Sequence, residues 1–516
     1  MARILFVNPV IREEDDPRHV PYGMALLAAI AVRDGHLVQV FDANAWRASD
    51  AVLAQVLRAD RWDVIALGGI TTAYRSIKHI VGMAKEVAPR SLVVAGGGFI
   101  TSMPRDIMRF LPEVDVGVLG EAFVTFPELL RRVDAGNRNW AAVPGLAWRD
   151  PAGRIMVNAE QPLVMDLDGA LPYPAWDLFP LDIYFKNSMA LFSEEGMMAR
   201  RRLDINASYG CSLICRFCFH LGIAGDLQTV EGQDASDRDV TFTHDRTIRF
   251  HSPRYVVDLV KHARRTFGVD FIGFLDENLM TMHQFSGKTW LTEIARLWIE
   301  EGLQPACVRE GVAHDPERCQ GVHWGGTSHA TLCSPEVLAA IARAGCSHLV
   351  YGYESFSARV MKTIGKGATP ETNERSLKWT LEAGIRPIPN QMMGFPDEDF
   401  DSLKDNIRAW NRLGLNVKPF FATPYPGTEW YYTNKQRILD QYDGDLEAFL
   451  LDLGDATRVT AVISKKFNAV ELYGLRELMV LRDIGRIERY EKEWNRLHAS
   501  DPPPKQAPRL VLETKP

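Results

Sequence analysis

Three cysteines crowd into eight residues of the run Gly210-Cys211-Ser212-Leu213-Ile214-Cys215-Arg216-Phe217-Cys218-Phe219-His220. Thiolates are soft ligands, and three at spacings of four and three can hold three irons of a [4Fe–4S] cluster. A fourth cysteine would saturate the cluster. Three leave one iron open, and an open metal position is where substrate chemistry takes place. Zinc is the competing occupant. It needs a fourth ligand, which His220 could supply, but structural zinc sites pair two Cys-x-x-Cys-like hooks, and a second hook of that kind is absent. The other cysteines, Cys307, Cys319, Cys333 and Cys346, are widely and irregularly spaced. That favours buried thiols acting as small apolar residues over a second cluster. Cys307 and Cys319, which fall in an insertion, are the pair to watch. Seven cysteines with three in one cluster do not form a disulfide framework; they suit a reducing cytoplasm.

The elements that must position these thiols are legible from periodicity. Apolar runs at Ile4–Val7, Leu37–Phe41, Val64–Gly68, Leu92–Ala95 and Val116–Leu119 alternate with helical patterns at Gly23–Val32, Ala51–Leu57, Ser76–Val87 and from Phe126. This alternation predicts a doubly wound parallel sheet, whose ligands sit at the carboxyl ends of its strands. Those ends are glycine-rich here: Gly68-Gly69, Gly96-Gly97-Gly98 and Gly120-Glu121. From 139 to 200 prolines weaken the pattern, which reads as a linker. A second alternation starts at Leu203–Ala207, the strand that runs into the cysteines. It continues through Asp270–Leu275, His323–Ser328, His348–Tyr353, Arg386–Met392 and Val417–Ala422, with helices at Pro253–Thr266, Pro335–Ala344 and Thr372–Ala383. Fewer than eight such units predict a partial, open barrel over 201–430. Insertions interrupt it at roughly 222–250 and 304–321. The region 431–516 reads as helical, with Leu472–Trp494 its clearest helix and a disordered end at Pro502-Pro503-Pro504.

Composition narrows the partners. A length of 516 residues exceeds one ordinary domain, and about three domains is the natural division. Hydrophobic content of 46% and charged content of 24% fit a soluble globular chain. A net charge of -7 leaves no broad basic face, so nucleic acid is not an expected partner. No run approaches the ~18 apolar residues of a membrane span. The opening Met-Ala-Arg-Ile-Leu-Phe-Val-Asn-Pro is too short in apolar residues for a signal peptide and reads as a first strand.

The Cys-x-x-x-Cys-x-x-Cys run after a strand resembles the radical S-adenosylmethionine (SAM) superfamily, over roughly 201–430. The resemblance implies that SAM chelates the open iron through its amino and carboxylate groups. One electron, from a donor such as flavodoxin or ferredoxin, then cleaves it to methionine and a hydrogen-abstracting 5′-deoxyadenosyl radical. Phe217 and Phe219 match aromatics that shield the cluster and touch adenine, although plain packing explains them equally. Phe274-Leu275-Asp276-Glu277-Asn278 resembles the second-strand motif, which would place Asp276 and Glu277 near SAM; a carboxylate there could instead cap the next helix. Gly352-Tyr353-Glu354-Ser355 resembles the fourth-strand motif and implies a SAM contact for Glu354. His329 stands where many relatives carry an arginine. Gly394-Phe395-Pro396 and Pro424-Tyr425-Pro426-Gly427-Thr428 resemble the fifth- and sixth-strand turns, with Gly394 near SAM.

For residues 1–138, dinucleotide binding would need Gly-x-Gly-x-x-Gly after the first strand, and Asn8-Pro9-Val10-Ile11 is not that. A purely structural cap is a second reading. The third is a resemblance. Asn8-Pro9, Pro21-Tyr22-Gly23, Gly35-His36, Phe41-Asp42-Ala43, Gly96-Gly97-Gly98-Phe99 through Pro104, and Gly120-Glu121 follow the order of the cobalamin-binding domain of cobalamin-dependent radical SAM enzymes. It implies corrinoid contacts from Asn8, Pro9, Thr71, Thr72, Tyr74, Gly97, Gly98, Phe99, Gly120 and Glu121. The Asp-x-His-x-x-Gly motif that lends a histidine to cobalt is absent, as is usual in these relatives.

The expected fold is thus α/β: a Rossmann-like cobalamin-binding domain, a linker, a partial (β/α)6 radical SAM barrel and a helical C-terminal region. The family's commonest reaction, methylation of an unactivated carbon, is the first expectation. Ring closure, as in the anaerobic cyclase of bacteriochlorophyll synthesis, or ring rearrangement with the same cofactors is the alternative. A non-catalytic cobalamin or redox sensor is a third, which intact cluster ligands oppose. The small-molecule substrate is not legible; His220, His251, His323, Tyr351 and Tyr425 are pocket candidates.

Overall fold

Short Val-, Ile- and Leu-rich runs form largely buried strands, as parallel sheets covered by helices require. In a computed structural model of the chain, which describes residues 1–188, 199–213, 215–219, 247–315 and 317–499 together with the backbone of 227–229 and 240–242, five such runs build the first sheet. They are β1 (Arg3–Asn8), β2 (Leu37–Asp42), β3 (Val64–Gly68), β4 (Leu92–Gly96) and β5 (Val116–Val118), all parallel. Helices Tyr22–Arg33, Asp50–Ala59, Tyr74–Val87 and Pro104–Phe110 make the crossovers. The strand order β2-β1-β3-β4-β5 reverses direction at β1. In such sheets ligands bind in the crevice beyond the carboxyl ends of the strands flanking the reversal. Asn8 closes β1, and Gly68 closes β3.

The expected linker does more than connect. β6 (Leu146–Arg149) and β7 (Ile155–Val157) add two antiparallel strands to the sheet beyond β5. The Asp150–Gly153 turn makes this hairpin: Asp150 Oδ1 accepts from the N–H groups of Ala152 and Arg154. The sheet therefore runs past residue 138, and the proline-rich composition hid two short strands.

The chain divides into two units: Met1–Ser212, Phe219–Val350 and Trp379–Pro387 in the first; Leu213–Cys218, Tyr351–Lys378 and Ile388–Pro516 in the second. Beyond the first sheet, the first unit holds β8 (Arg202–Ile205) and β9 (Ser208–Tyr209), a short antiparallel pair β10 (Leu227–Thr229) and β11 (Val240–Phe242), and β12 (Arg249–Phe250) paired with β9. β13 (Phe271–Phe274) lies between β8 and β14 (His323–Ser328), parallel to both. β15 spans Cys346–Glu354, with the passage between units after Val350. β16 (Arg386–Met393) enters the second unit at Ile388, and its end pairs in parallel with β17 (Phe420–Phe421). The last strand is shorter than the expected Val417–Ala422 because Pro419 has no N–H for the ladder.

The C-terminal helix is two helices, Ala469–Val480 and Ile484–Leu497. Arg482 adopts φ 56°, and Asp483 caps the second helix by accepting from the Arg486 N–H. Most of the insertion at 222–250 and the end at Pro502-Pro503-Pro504 lie outside the described residues. No described helix is long and apolar enough to cross a membrane.

Candidate functional site

The loop after β8 delivers Cys211, and the first unit builds it closely. Gly210 takes φ +95°, and a Cβ there would stand 2.8 Å from the Thr247 carbonyl oxygen. Cys211 is buried, its Sγ 3.9 Å from the hydroxyl of Thr281. That hydroxyl also lies 3.2 Å from Ser212 Oγ and accepts from Asn278 Nδ2. Asp276 braces the same stretch. Its carboxylate, fully buried, accepts from the Ala207 N–H at 3.1 Å and from the Ser208 hydroxyl. Burial pushes its pKa up to about 6, against the pull of these donors. The neighbouring helix cap is Asn278, which accepts from the Met280 N–H, so Asp276 does not cap. Glu277 is exposed.

The second unit presents the other two thiols. Cys215 is buried and Cys218 half-buried, and the Cys218 N–H donates to the Cys215 carbonyl at 3.1 Å. Phe217 between them packs on a core that includes Ile364, Phe395 and Trp430. Lys366 Nζ stands 5.6 Å from its ring centroid. This lysine pairs with Glu354 at 2.6 Å, both side chains 8% exposed. Burial lowers the Lys366 pKa, but Glu354 and the Cys215 and Cys218 thiols more than offset that, and the net shift is upward. The pair explains the glycine two residues before Glu354: a Cβ on Gly352 would stand 2.3 Å from Glu354 Oε1 and 2.6 Å from Lys366 Nζ. Glu354 itself sits at φ 57°, a backbone region costly for a residue with a Cβ. Gly394 also has positive φ, and its N–H donates to Glu398 at 2.5 Å. Sequence reading missed Lys366; its signal was a lysine between two glycines, Gly365 and Gly367.

The candidate corrinoid residues gather at the carboxyl ends of the first sheet. Pro9 follows β1, and Thr71, Thr72 and Tyr74 follow β3. Tyr74 is fully buried. Gly97 takes φ +92°, where a Cβ would lie 2.7 Å from the Gly69 carbonyl oxygen. Phe99 is buried, and its N–H donates to that same oxygen. Gly98 has Phe219 against it: a Cβ there would stand 2.6 Å from the ring. Beside Gly120 a recess is lined by Thr101, Pro104, Leu119, Phe123 and Gly145. Two side chains have other engagements. Asn8 Nδ2 donates to Asp42 Oδ1 at 2.7 Å, and both Glu121 oxygens accept from the buried Arg249 guanidinium. Sequence reading missed Arg249, which stands in an Arg-Phe-His run without a known motif.

The pocket candidates scatter. His251 is buried, 2.7 Å from Asp168 and stacked on Tyr255. His323 opens β14, at the amino end of that strand. Tyr351 is buried against Tyr353, and the Tyr425 hydroxyl donates to the Gly454 carbonyl. His329 is buried, with Nδ1 2.7 Å from Thr331 Oγ1. His220 lies outside the described residues.

These donors fit the groups that the resemblance implies. Buried Cys215 and half-buried Cys218, with the buried Lys366 ammonium beside them, suit thiolate ligands of an anionic cluster, and Cys211 is a buried thiol of the first unit. Gly97 and Gly98 let the turns after β3 and β4 pack closely on each other and on Phe219, at the strand ends where a doubly wound sheet takes its ligand.

Comparison with known proteins agrees. The B12 binding domain matches residues 10–130, and the Radical SAM superfamily matches 205–409. A protein of Pyrococcus horikoshii described as an uncharacterized methyltransferase is 26% identical over 421 residues, covering 81% of this chain and 79% of that one. The anaerobic magnesium-protoporphyrin IX monomethyl ester cyclase of Rubrivivax gelatinosus is 23% identical, covering 83% of this chain and 69% of its own length. Among solved structures, the cobalamin-dependent SAM radical enzyme OxsB, with aqua-cobalamin and SAM bound, superposes with a TM-score of 0.67 over 97% of this chain and 75% of that chain, at 14% identity. That last likeness is one of fold: a Rossmann-like domain, a partial barrel and a helical C-terminal region. With both domains present in this order, the chain belongs to the cobalamin-dependent radical SAM enzymes.

Proposed function

We propose that this enzyme transfers a methyl group to an unactivated carbon of a small molecule. Cys211, Cys215 and Cys218 hold the cluster, and the strand ends at Pro9, Thr71, Thr72 and Gly97–Phe99 hold the corrin. When bound, the cluster with SAM supplies a hydrogen-abstracting radical, and the corrin supplies a transferable methyl group. The observation that carries the reading is Phe219 on Gly98. The residue after the third cysteine packs on a corrinoid-binding turn, so the two cofactor modules are keyed to each other. In this reading residues 1–138 bind cobalamin, 139–200 extend that domain's sheet and lead into the barrel of 201–430, and 431–516 are the helical C-terminal region. Phe217, Asp276, Glu277, Glu354 and Gly394 serve the SAM side. Lys366 keeps a positive charge beside two cluster thiols and orients Glu354. The electron donor is a flavodoxin or ferredoxin, and the setting a reducing cytoplasm.

Ring closure is the second reading, favoured by the cyclase of R. gelatinosus among the relatives. Methylation comes first because the methyltransferase of P. horikoshii is the more similar of the two. The test is an anaerobic assay of reconstituted enzyme. Wild type should release 5′-deoxyadenosine and retain a corrinoid absorption spectrum after washing. Cys211→Ala, Cys215→Ala and Cys218→Ala should each abolish SAM cleavage. Cleavage surviving in all three overturns the cluster assignment, and complete loss of corrinoid on washing overturns the amino-terminal one. Product mass then separates the reactions: addition of CH₂ marks methylation, loss of H₂ marks ring closure.

A further inference from the structure

Away from the cofactor residues, four metal-ligating side chains converge at the amino end of β14. Cys307 lies on the short helix Ala306–Glu310, His314 and Cys319 lie in the loop after it, and His323 opens the strand. The two sulfurs and one ring nitrogen from each histidine all fall within 4.8 Å of one another. Cys307 Sγ is 3.3 Å from His323 Nε2 and 3.6 Å from His314 Nδ1. Cys319 Sγ is 4.0 Å from His323 Nε2 and 2.9 Å from Cys307 Sγ. A tetrahedral ion with metal–sulfur bonds of about 2.3 Å and metal–nitrogen bonds of about 2.0 Å separates its ligand atoms by roughly 3.3–3.8 Å. The nitrogen–sulfur separations are close to that range, and the sulfur pair would have to open by about 1 Å.

The backbone holds this arrangement without help from the ligands. The Ala306 N–H donates to the Gln320 carbonyl at 2.7 Å, and the Cys319 N–H to the Asp315 carbonyl at 2.7 Å. The His323 N–H donates to Asp270 on the approach to β13, at 2.9 Å. Gly321 takes φ +122°, and a Cβ there would stand 2.5 Å from Pro305 Cα. The Cys307 N–H donates to Cys319 Sγ at 3.3 Å, the kind of outer hydrogen bond that stabilises a ligating thiolate. His323 turns Nε2 toward both sulfurs. Cys307 and His323 are buried, while His314 and Cys319 are half-buried, which leaves an entry path.

We propose that Cys307, His314, Cys319 and His323 bind one zinc ion. Two thiolates and two imidazoles select zinc over the hard cations, which need oxygen ligands. Four protein ligands close the coordination shell, so the ion is structural. Its place agrees. His323 is at the foot of β14, and Ser328 ends the strand five residues on, about 17 Å away at about 3.3 Å per residue. Barrel chemistry occupies the carboxyl ends of strands. The zinc therefore clamps the loop after Cys307 to the foot of the third barrel strand. Binding displaces one proton from each thiol and changes no oxidation state.

Elemental analysis of the full-length enzyme, purified anaerobically from zinc-supplied cells, tests this together with X-ray absorption at the zinc edge. The expected result is about one zinc per chain, on two sulfur and two nitrogen ligands. Cys307→Ser and Cys319→Ser should lose zinc and keep cluster iron. Cys211→Ala should lose iron and keep zinc. Zinc at background in the wild type, an oxygen-rich zinc shell, or zinc retained in both serine variants overturns the proposal. So does a Cys307–Cys319 disulfide in the anaerobic protein, seen by peptide mass. Should the serine variants fail to fold, the wild-type zinc content and absorption spectrum still decide it.

Discussion

Phe219 occupies the space that a side chain on Gly98 would need. Gly98 opens the short helix Gly98–Ser102 and does not have positive φ, so alanine suits its backbone. The obstacle is steric: the added Cβ would meet Phe219 Cε1 at 2.6 Å and Cζ at 2.7 Å. Gly98→Ala should therefore displace the ring and weaken corrinoid retention. Phe219→Ala opens the space at the cost of a lost contact. In that background Gly98→Ala should be nearly neutral, with a coupling of about 1–3 kcal/mol between the two sites in thermal or denaturant unfolding. Additive effects would show that the ring is not held against the glycine in solution. The same steric logic assigns Gly352 its place under the Lys366–Glu354 pair. Both glycines stood inside motifs in the sequence, whereas the side chains that cover them could not be located without the fold.

Elements show how that division arises. Strands and helices of the first 135 residues and of the barrel follow from periodicity, because burial on both faces leaves apolar runs bounded by glycine. β6 and β7 were missed because an edge hairpin of four and three residues carries too few positions for a period. The break at Arg482 was missed although Asp483 is a good cap, because apolar spacing continues through it. The turn after β16 shows what periodicity cannot give. Gly394 and Pro396 mark a turn, but Glu398 holds it: one carboxylate oxygen accepts from Gly394 and the other has no partner. Burial pushes the Glu398 pKa from 4.5 up to about 8. A carboxyl whose folded pKa is raised contributes stability fully below the unfolded value and loses it as pH rises through the folded one. The thermal midpoint should thus fall between about pH 4.5 and pH 8 from this group. Glu398→Gln keeps an acceptor for Gly394 without a titration. It should flatten that slope and gain on the wild type toward pH 8. An unchanged slope would mean that the carboxyl titrates normally.

At the scale of the whole molecule, sequence distance is the obstacle, and Arg249 shows it. Its guanidinium gathers groups each more than 80 residues from it in sequence: both carboxylate oxygens of Glu121 after β5 and the Val164 carbonyl of the expected linker. It also lies 5.4 Å over the Tyr209 ring, on β9, two residues before the first cluster cysteine. Both charged side chains are buried, at 1% and 6% exposure. A pair taken this far out of water gains little net stability, because desolvation offsets most of the attraction. Removing one partner is different, since the other charge stays buried. Arg249→Met should therefore cost about 3–5 kcal/mol, lowering the thermal midpoint by several degrees. Glu121→Gln in the same chain should restore much of that loss, because the uncompensated carboxylate is gone. The pair also ties the carboxyl end of the first sheet to the strand pairing beside Cys211, so Arg249→Met should reduce corrinoid retention and cluster iron together. If Arg249→Met lowers stability while both cofactors load as in the wild type, the pair is a packing contact. If the double variant loses both cofactors at restored stability, the charge pair itself sets the alignment of the two modules.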